Sequence, residues 1–299
     1  MDVATILGLG VKISIFITVL SLGMRASLSD IANLFRRPGQ LIRALVSIFV
    51  IMPVFAIVAI KAFTLGPLVR VVLVALSVSP IPPIFPKKAF RSGGEAQFTF
   101  GLLAAVTLLS VIIIPLAFAV LDVVVGRDLQ FSQPFLIKTL ATAVVVPMAI
   151  GMALRYLAPK FSEGFADVIA KIGVALLLIS VLPILIVLLP AIWSLTGSGM
   201  LLAFIVFALA GVLAGYFLGG SDPKERTVLA LATTSRHPGI AIALASANVV
   251  DETPKQVIAA AVIAYLLISA IVVAPFLKWL SRDESGTTAS GTRVSTVAH

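Results

Sequence analysis

The sequence is organised around the stretch Thr233-Thr234-Ser235-Arg236-His237-Pro238-Gly239, which lies between two apolar runs at residues 228–232 and 240–247. This stretch contains a cation, a titratable imidazole and a helix-breaking Pro-Gly pair. Such groups are costly at hydrocarbon depth, so they are not expected there without a structural or functional role. The stretch therefore indicates the interruption of a broken transmembrane helix, at the depth where a transported solute can bind.

Composition places the chain among polytopic membrane proteins. Of its 299 residues, 60% are hydrophobic and 12% are charged, and the mean hydropathy is +1.16, outside the range of soluble domains. Because apolar stretches approach or exceed the ~20 residues that a spanning helix needs, we expect an all-α protein rather than an outer-membrane barrel. We expect one transmembrane domain over residues 1–282 and a disordered cytoplasmic tail over residues 283–299.

The composition also narrows the class of function. The net charge of +9 comes from Lys and Arg scattered at the ends of apolar stretches, which favours a role in topology over nucleic-acid binding. The absence of Cys and the presence of only two His lead us to expect no metal site, no cofactor and no disulfide. We find no catalytic triad order, paired carboxylates or phosphate-binding loop at usable spacing, so we do not expect an enzyme.

Nine transmembrane spans can be drawn along the chain. They cover residues 3–24, 41–63, 68–86, 96–123, 135–157, 168–192, 201–218, 227–249 and 256–280. An amphipathic interfacial helix is predicted between the first two spans, at residues 27–38. With nine spans, 15 Lys and Arg fall on one side and 5 on the other, which predicts an external N-terminus and a cytoplasmic C-terminus. We expect the protein to lie in the inner (plasma) membrane.

Two of these spans are unlike the others. The third ends in Pro80, Pro82, Pro83 and Pro86, and four prolines in seven residues cannot remain in a regular helix. The eighth contains the opening stretch, with its Pro238-Gly239 break. The two lie five spans apart and therefore point in opposite directions, as the interrupted helices of inverted repeats do in secondary transporters.

Short motifs carry a resemblance to a known family. They are Leu22-Gly23-Met24, Leu34-Phe35-Arg36-Arg37-Pro38, Ile51-Met52-Pro53, Pro80, and the stretch from His237-Pro238-Gly239-Ile240 to Ala245. In order and spacing over nearly the whole chain, they resemble the bile acid:sodium symporter family of the BART superfamily. The resemblance implies inverted repeats with two crossed broken helices, in the nine-helix form of the family.

The same resemblance implies two moving parts. Helices at about residues 3–24, 135–157 and 168–192 would form a panel domain, and helices at about 41–123 and 201–280 a core domain that moves against it. Side chains that hold sodium in the family fall, in this chain, on Ala232 (a Glu), Arg236 (a Gln) and the Phe85-Pro86 pair (Ser-Asn), and near Leu103 and Ile48. Since a hard cation needs oxygen ligands, we do not expect conventional sodium coupling.

Arg236 has two interpretations. In the first, its guanidinium permanently takes the place of a sodium ion, orienting freed carbonyls and gripping a substrate carboxylate bidentately. In the second, the stretch lies nearer the cytoplasmic surface and Arg236 snorkels to the headgroups. An arginine at membrane depth costs at least ~2.5 kcal/mol, which favours the functional interpretation.

The neighbouring polar residues also have alternative roles. His237 is either a proton-coupling group or a neutral, hydrogen-bonded imidazole. The hydroxyls of Thr233, Thr234 and Ser235 bind either the solute or their own helix carbonyls. Lys87 and Lys88 mirror Arg236 after the first break, and they either face the cavity or anchor the chain at the cytoplasmic surface.

These features favour a secondary active transporter of a small organic anion in a lipid membrane, driven either by the anion's own gradient or by protons. Two alternatives stay open: a sodium-dependent symporter with rebuilt sodium sites, and a non-transporting membrane sensor or scaffold. The sequence leaves the oligomeric state open. Gly211 and Gly215 form a small-xxx-small pattern that predicts a close helix contact in the seventh span.

Overall fold

The computed structural model describes residues 3–26, 28–82, 85–125, 138, 141–195, 199–246 and 255–291, and within them the chain is helical and contains no strand. The helices are α1 (Val3–Arg25), α2 (Leu28–Arg36), α3 (Pro38–Val46), π1 (Ser47–Ile51), α4 (Met52–Ala62), α5 (Pro67–Val78), α6 (Phe85–Arg91), α7 (Ala96–Val125), π2 (Ala141–Val145), α8 (Val146–Leu157), α9 (Pro159–Leu195), α10 (Met200–Leu218), α11 (Pro223–Thr234), α12 (Pro238–Ser246) and α13 (Lys255–Gly291).

The structure confirms an all-α polytopic membrane protein. Seven helical stretches of the described chain are long and apolar enough to cross a membrane, and two shorter apolar helices, Pro67–Val78 and Ala141–Leu157, accompany them. Each of these nine segments overlaps one of the nine predicted spans, and the number of membrane crossings stays a prediction. The predicted interfacial helix is α2, on which Leu34 is buried while Phe35 and Arg36 are exposed.

Two helices contain a single π turn, and each π turn lies directly before a proline. Ser47–Ile51 precedes Met52-Pro53, and Ala141–Val145 precedes Val146-Pro147. A proline has no N–H to donate to the preceding turn, so the helix widens there and leaves a carbonyl without its usual partner. In π1 this carbonyl becomes part of the candidate site.

The helices can be divided into two groups, which contact each other most extensively between α9 and α13. The three-helix group consists of α1, α8 and α9, which pack on one another. A Cβ at Gly23 would collide with the carbonyl of Met148, and one at Gly151 with the carbonyl of Leu20. Glycine is therefore required at both positions, because the backbones of α1 and α8 touch.

The second group consists of α2 to α7 and α10 to α13, and it holds most of the buried apolar side chains. Its closest helix contact is the one predicted from the small-xxx-small pattern. A Cβ at Gly215 would collide with the carbonyl of Leu229 and with Ala230, while one at Gly211 would lie 3.1 Å from Thr234 Oγ1. Helices α10 and α11 are thereby packed backbone to backbone, beside the second break.

Two helices extend beyond the predicted spans. Helix α9 is a single helix of 37 residues, so it includes the segment that was expected to connect the fifth and sixth spans. Helix α13 continues to Gly291, whereas the composition predicted a disordered tail from residue 283. Residues 292–299 lie outside the described residues. Of the predicted fifth span at 135–157, the structure describes residue 138 and residues 141–157.

Candidate functional site where two broken helices meet

Both unusual spans are interrupted, and the two interruptions touch. Helix α5 ends at Val78 and α6 begins at Phe85, while α11 ends at Thr234 and α12 begins at Pro238. The backbone N–H of His237 donates to the carbonyl of Pro80 across a distance of 2.9 Å. The two breaks therefore supply hydrogen-bond partners to each other.

Arg236 lies at this meeting point and is 0% exposed. Its Nη1 donates to three backbone carbonyls: those of Ile48 at 3.4 Å, Ser77 at 3.2 Å and Ser79 at 3.1 Å. These carbonyls belong to π1 and to the end of α5, so one nitrogen links the second break to both of these segments. A side chain in this position does not reach the headgroups.

Proline spacing explains why these carbonyls are free. For Ser79, the residues three and four positions ahead are Pro82 and Pro83, and neither has an N–H. Ser77 lies in the last turn of α5, where carbonyls have no helical partner. Ile48 lies in π1, where the partner five residues ahead would be Pro53.

Aromatic side chains enclose the guanidinium. Its Cζ lies 5.9 Å from the centre of the Phe207 ring on α10, within the range of a cation–π contact. Tyr265 on α13 packs edge-on against Phe207, with ring centres 5.6 Å apart. The Tyr265 hydroxyl donates to the carbonyl of Thr234 at 2.7 Å and so caps the end of α11.

Two nitrogens of Arg236 are left without a partner. Nε and Nη2 are buried and make no hydrogen bond. Among the residues that the structure describes, the ion pairs found join Arg25 to Asp167 and Arg37 to Glu225, so no described carboxylate pairs with Arg236. The site holds a fixed cation whose described surroundings are carbonyl dipoles, aromatic faces and the nearby Tyr265 hydroxyl.

His237 caps the start of α12. The backbone N–H of Ile240 donates to Nδ1 of His237 at 3.3 Å, which places the imidazole as the N-cap acceptor of that helix. Because an accepting nitrogen carries no hydrogen, the neutral ring has its proton on Nε2. Nε2 is buried and has no partner in the described chain, so it is a third free donor beside those of Arg236.

The hydroxyl groups of Thr233 and Thr234 bond to carbonyls of their own helix, whereas Ser235 lies outside that helix. Thr233 donates to the carbonyl of Leu229 at 2.8 Å, and Thr234 donates to that of Ala230 at 2.9 Å. Because the single hydroxyl hydrogen of Thr233 is already donated to the Leu229 carbonyl, Ser47 is the donor in the 2.7 Å hydrogen bond between the Ser47 and Thr233 hydroxyls. Ser235 lies in the break itself and is half-buried.

The remaining predicted residues lie on α6 and in the break that precedes it. Lys88 is half-buried on α6, which packs against α7 and α11, and Lys87 lies on the same helix with its side chain outside the described set. Pro82 and Pro86 are buried on either side of the first gap, whereas Pro83 lies outside the described residues.

Gly239 lies where α12 meets α1. A Cβ at that position would collide with Ile15 Cδ1 and would lie 3.6 Å from Cε1 of His237. The imidazole of His237 is thus on the side of α12 that faces α1.

Sequence reasoning missed most partners of Arg236. It did not identify the carbonyls of Ser77 and Ser79, and it did not identify Phe207 or Tyr265. The prolines were a usable signal for the carbonyls, since each removes a donor at a fixed offset. The two aromatic side chains left no such signal, because they come from helices distant in sequence.

Two comparisons relate the chain to known proteins. The sequence model described as the Sodium Bile acid symporter family matches residues 12–194. The chain is 24% identical over 206 residues to the probable sodium/metabolite cotransporter BASS6, chloroplastic, of Arabidopsis thaliana, and the match covers 67% of this chain. It covers 50% of that protein, so the chain spans about half the length of the curated relative it matches.

Proposed function

Since the chain belongs to the Sodium Bile acid symporter family, as its motifs predicted, we propose that it is a secondary active transporter that carries a small organic anion across the plasma membrane. The observation that carries this proposal is Arg236, which is fully buried where two broken helices meet and keeps two unpartnered nitrogens. A buried cation without a carboxylate partner is costly to leave unpaired. An anionic solute satisfies both its charge and its free donors.

In this proposal Arg236 also replaces a coupling cation. Its Nη1 occupies a cradle of three carbonyls, and carbonyl oxygens are ligands that a hard metal cation would use. By the family resemblance, Arg236 itself stands where a Gln would hold sodium, and Ala232 stands where a Glu would. With the cradle filled by a side chain, transport proceeds without sodium.

Alternating access requires two bodies that can move against each other, and we assign them to the two helix groups. Long-range polar contacts between described residues hold each group together. Arg155 donates to the carbonyls of Met24 and Arg25 in the three-helix group, and Arg37 pairs with Glu225 in the other. These bonds favour the three-helix group as the panel and the second group as the core.

The boundary between the groups supports this assignment. It includes an apolar cluster in which Val19 and Met148 of the panel pack with Ala104 of α7. It also includes the contact between Ile15 and Gly239. Apolar surfaces of this kind can slide without breaking directional bonds. We assign an external N-terminus and a cytoplasmic C-terminus from the distribution of Lys and Arg.

Uptake by purified protein in liposomes tests the proposal. Labelled formate, pyruvate, lactate and pantoate would each be offered, in sodium buffer and in choline buffer at equal ionic strength, to liposomes that contain the same acid unlabelled, so that both net transport and exchange give uptake. We expect uptake of at least one acid above protein-free liposomes, at the same rate in both buffers. Absence of uptake of all four acids in both buffers contradicts the proposed transport of a small anion.

The name of the family and that of the Arabidopsis relative favour a second candidate, a sodium-dependent organic-anion symporter with rebuilt sites. Its sodium ligands would be backbone carbonyls and hydroxyls. Uptake that requires sodium, together with a sodium-dependent rise of the melting midpoint of the purified protein, would establish this candidate instead.

A further inference from the structure

The charge of Arg236 differs from that of a transported ion in one respect: it cannot leave. A sodium ion dissociates when a symporter opens to the low-sodium side, so the empty site returns without its charge. A guanidinium is covalently attached and keeps its charge under all physiological conditions. Any return of the empty carrier must therefore move this cation through the closed state without a counter-ion.

We infer that the protein is an obligatory exchanger, which returns only with a second monovalent carboxylate bound to Arg236. The inference rests on the proposed function and adds the mode of transport to it. Its basis is the combination of complete burial, two unpartnered nitrogens and the absence of a paired carboxylate among the described residues. An uncompensated buried charge raises the energy of the empty closed state, and a bound anion removes this penalty.

The free nitrogens determine the chemical class of the anion. Nε and Nη2 lie on one edge of the planar guanidinium, which is the spacing that binds both oxygens of a carboxylate. Nη1, on the other side, is already engaged by the carbonyls of Ile48, Ser77 and Ser79. The edge that remains therefore fits one carboxylate group.

His237 supplies a neutral donor to the same region. Its Nδ1 is held as an acceptor by the N–H of Ile240, and Nε2 is left buried and unpartnered. Since this imidazole adds no charge, the site carries one positive charge and is neutralised by one negative charge. The complex that crosses the membrane is then electrically neutral, and exchange of one monoanion for another moves no net charge.

The first measurement establishes occupancy of the site. The melting midpoint of the purified protein would be recorded with formate, pyruvate, lactate and pantoate, and with formamide as a neutral match for formate. We expect at least one acid to raise the midpoint and formamide to leave it unchanged. If no acid raises it, both the anion site and the exchange inference are lost.

The second measurement separates exchange from net transport. Liposomes loaded with the most stabilising labelled acid would be diluted into medium with or without the same unlabelled acid. We expect external acid to accelerate efflux by about 10-fold or more, which corresponds to about 1.4 kcal/mol between the loaded and empty return steps. A potassium diffusion potential of either sign should leave the exchange rate unchanged.

The outcomes distinguish the inference from the proposed function. Equal efflux with and without external acid would refute exchange and leave transport of an organic anion intact. Exchange that responds to the membrane potential would refute the electroneutral pairing with Arg236. Binding of an acid without efflux under either condition would overturn both the exchange inference and the proposed transport.

Discussion

The two broken helices meet at one point but differ in what their breaks expose. The first break, between α5 and α6, removes donors, because Pro80, Pro82 and Pro83 have no N–H and leave carbonyls unpaired. The second break, between α11 and α12, adds donors through Arg236 and His237. Each break would be costly alone at membrane depth. Together they form one hydrogen-bonded network, in which Arg236 of the second break donates to carbonyls beside the first.

The largest effect is expected when the second break loses its cation. Arg236→Gln removes the charge that binds the carboxylate, so we expect uptake of the organic acid to fall by about 100-fold or more, equivalent to about 2.7 kcal/mol. Arg236→Lys keeps the charge but not the planar edge and should retain intermediate activity. Liposome uptake at matched protein amounts measures both.

Arg91→Gln is the matched control, because Arg91 is exposed at the end of α6. It should transport at the wild-type rate. If Arg236→Gln transported the acid at the wild-type rate, the positive charge in the second break would not be needed for transport.

A smaller effect is expected when the first break regains a donor. Pro82→Ala restores an N–H three residues after Ser79, where it can bond the carbonyl that now accepts from Arg236. We expect uptake to fall by about 10-fold, or about 1.4 kcal/mol. Pro275→Ala, at an exposed proline within α13, is the control. Equal activity of both variants would mean that the prolines do not serve to free carbonyls.

Tyr265→Phe tests the cap of α11, which adjoins the second break. The variant keeps the ring packed against Phe207 but leaves the Thr234 carbonyl unpaired. We expect a loss of about 1 kcal/mol in the free energy of unfolding, recorded as a lower melting midpoint. The control is Tyr156→Phe, at a residue that is 82% exposed, which should leave the midpoint unchanged. An equal decrease in both variants would show that the hydrogen bond from Tyr265 to Thr234 does not stabilise the fold.

The smallest effect is expected at the bond that joins π1 to α11. Ser47→Ala removes the donor to Thr233, whose own hydrogen remains bonded to Leu229. No buried donor loses its acceptor in this variant. We therefore expect the free energy of unfolding to fall by only about 0.5 kcal/mol. A double-mutant cycle with Thr233→Val measures the coupling between the two side chains. Strict additivity would show that the two hydroxyls do not interact.

Sequence patterns located both breaks because Pro and Gly act locally. The cluster of four prolines after Ser79 and the Pro238-Gly239 pair both disfavour a regular helix, and the structure is interrupted at both. The hydrophobic lengths likewise predicted a polytopic helical protein, and the amphipathic pattern predicted the short helix α2.

Features that depend on packing between distant helices could not be predicted. The position of Phe207 and Tyr265 around Arg236 depends on how α10 and α13 pack. The sequence leaves two roles open for the hydroxyls of Thr233 and Thr234, of which bonding to helix carbonyls is the commoner, and the structure shows both hydroxyls bonded to their own helix. The π turn at Ser47 was missed for the same reason, although Pro53 marks its place.

The distribution of donors and acceptors along the chain also bears on how the protein is made. The span from Pro223 to Ser246 is the least hydrophobic of the candidate spans, and inserting its arginine into lipid alone costs at least ~2.5 kcal/mol. The carbonyls that accept from Arg236 belong to residues 48–79 and are synthesised first. During biogenesis, the carbonyl acceptors are therefore synthesised before Arg236. The helices that carry them can bind the guanidinium as the segment from Pro223 to Ser246 enters the membrane.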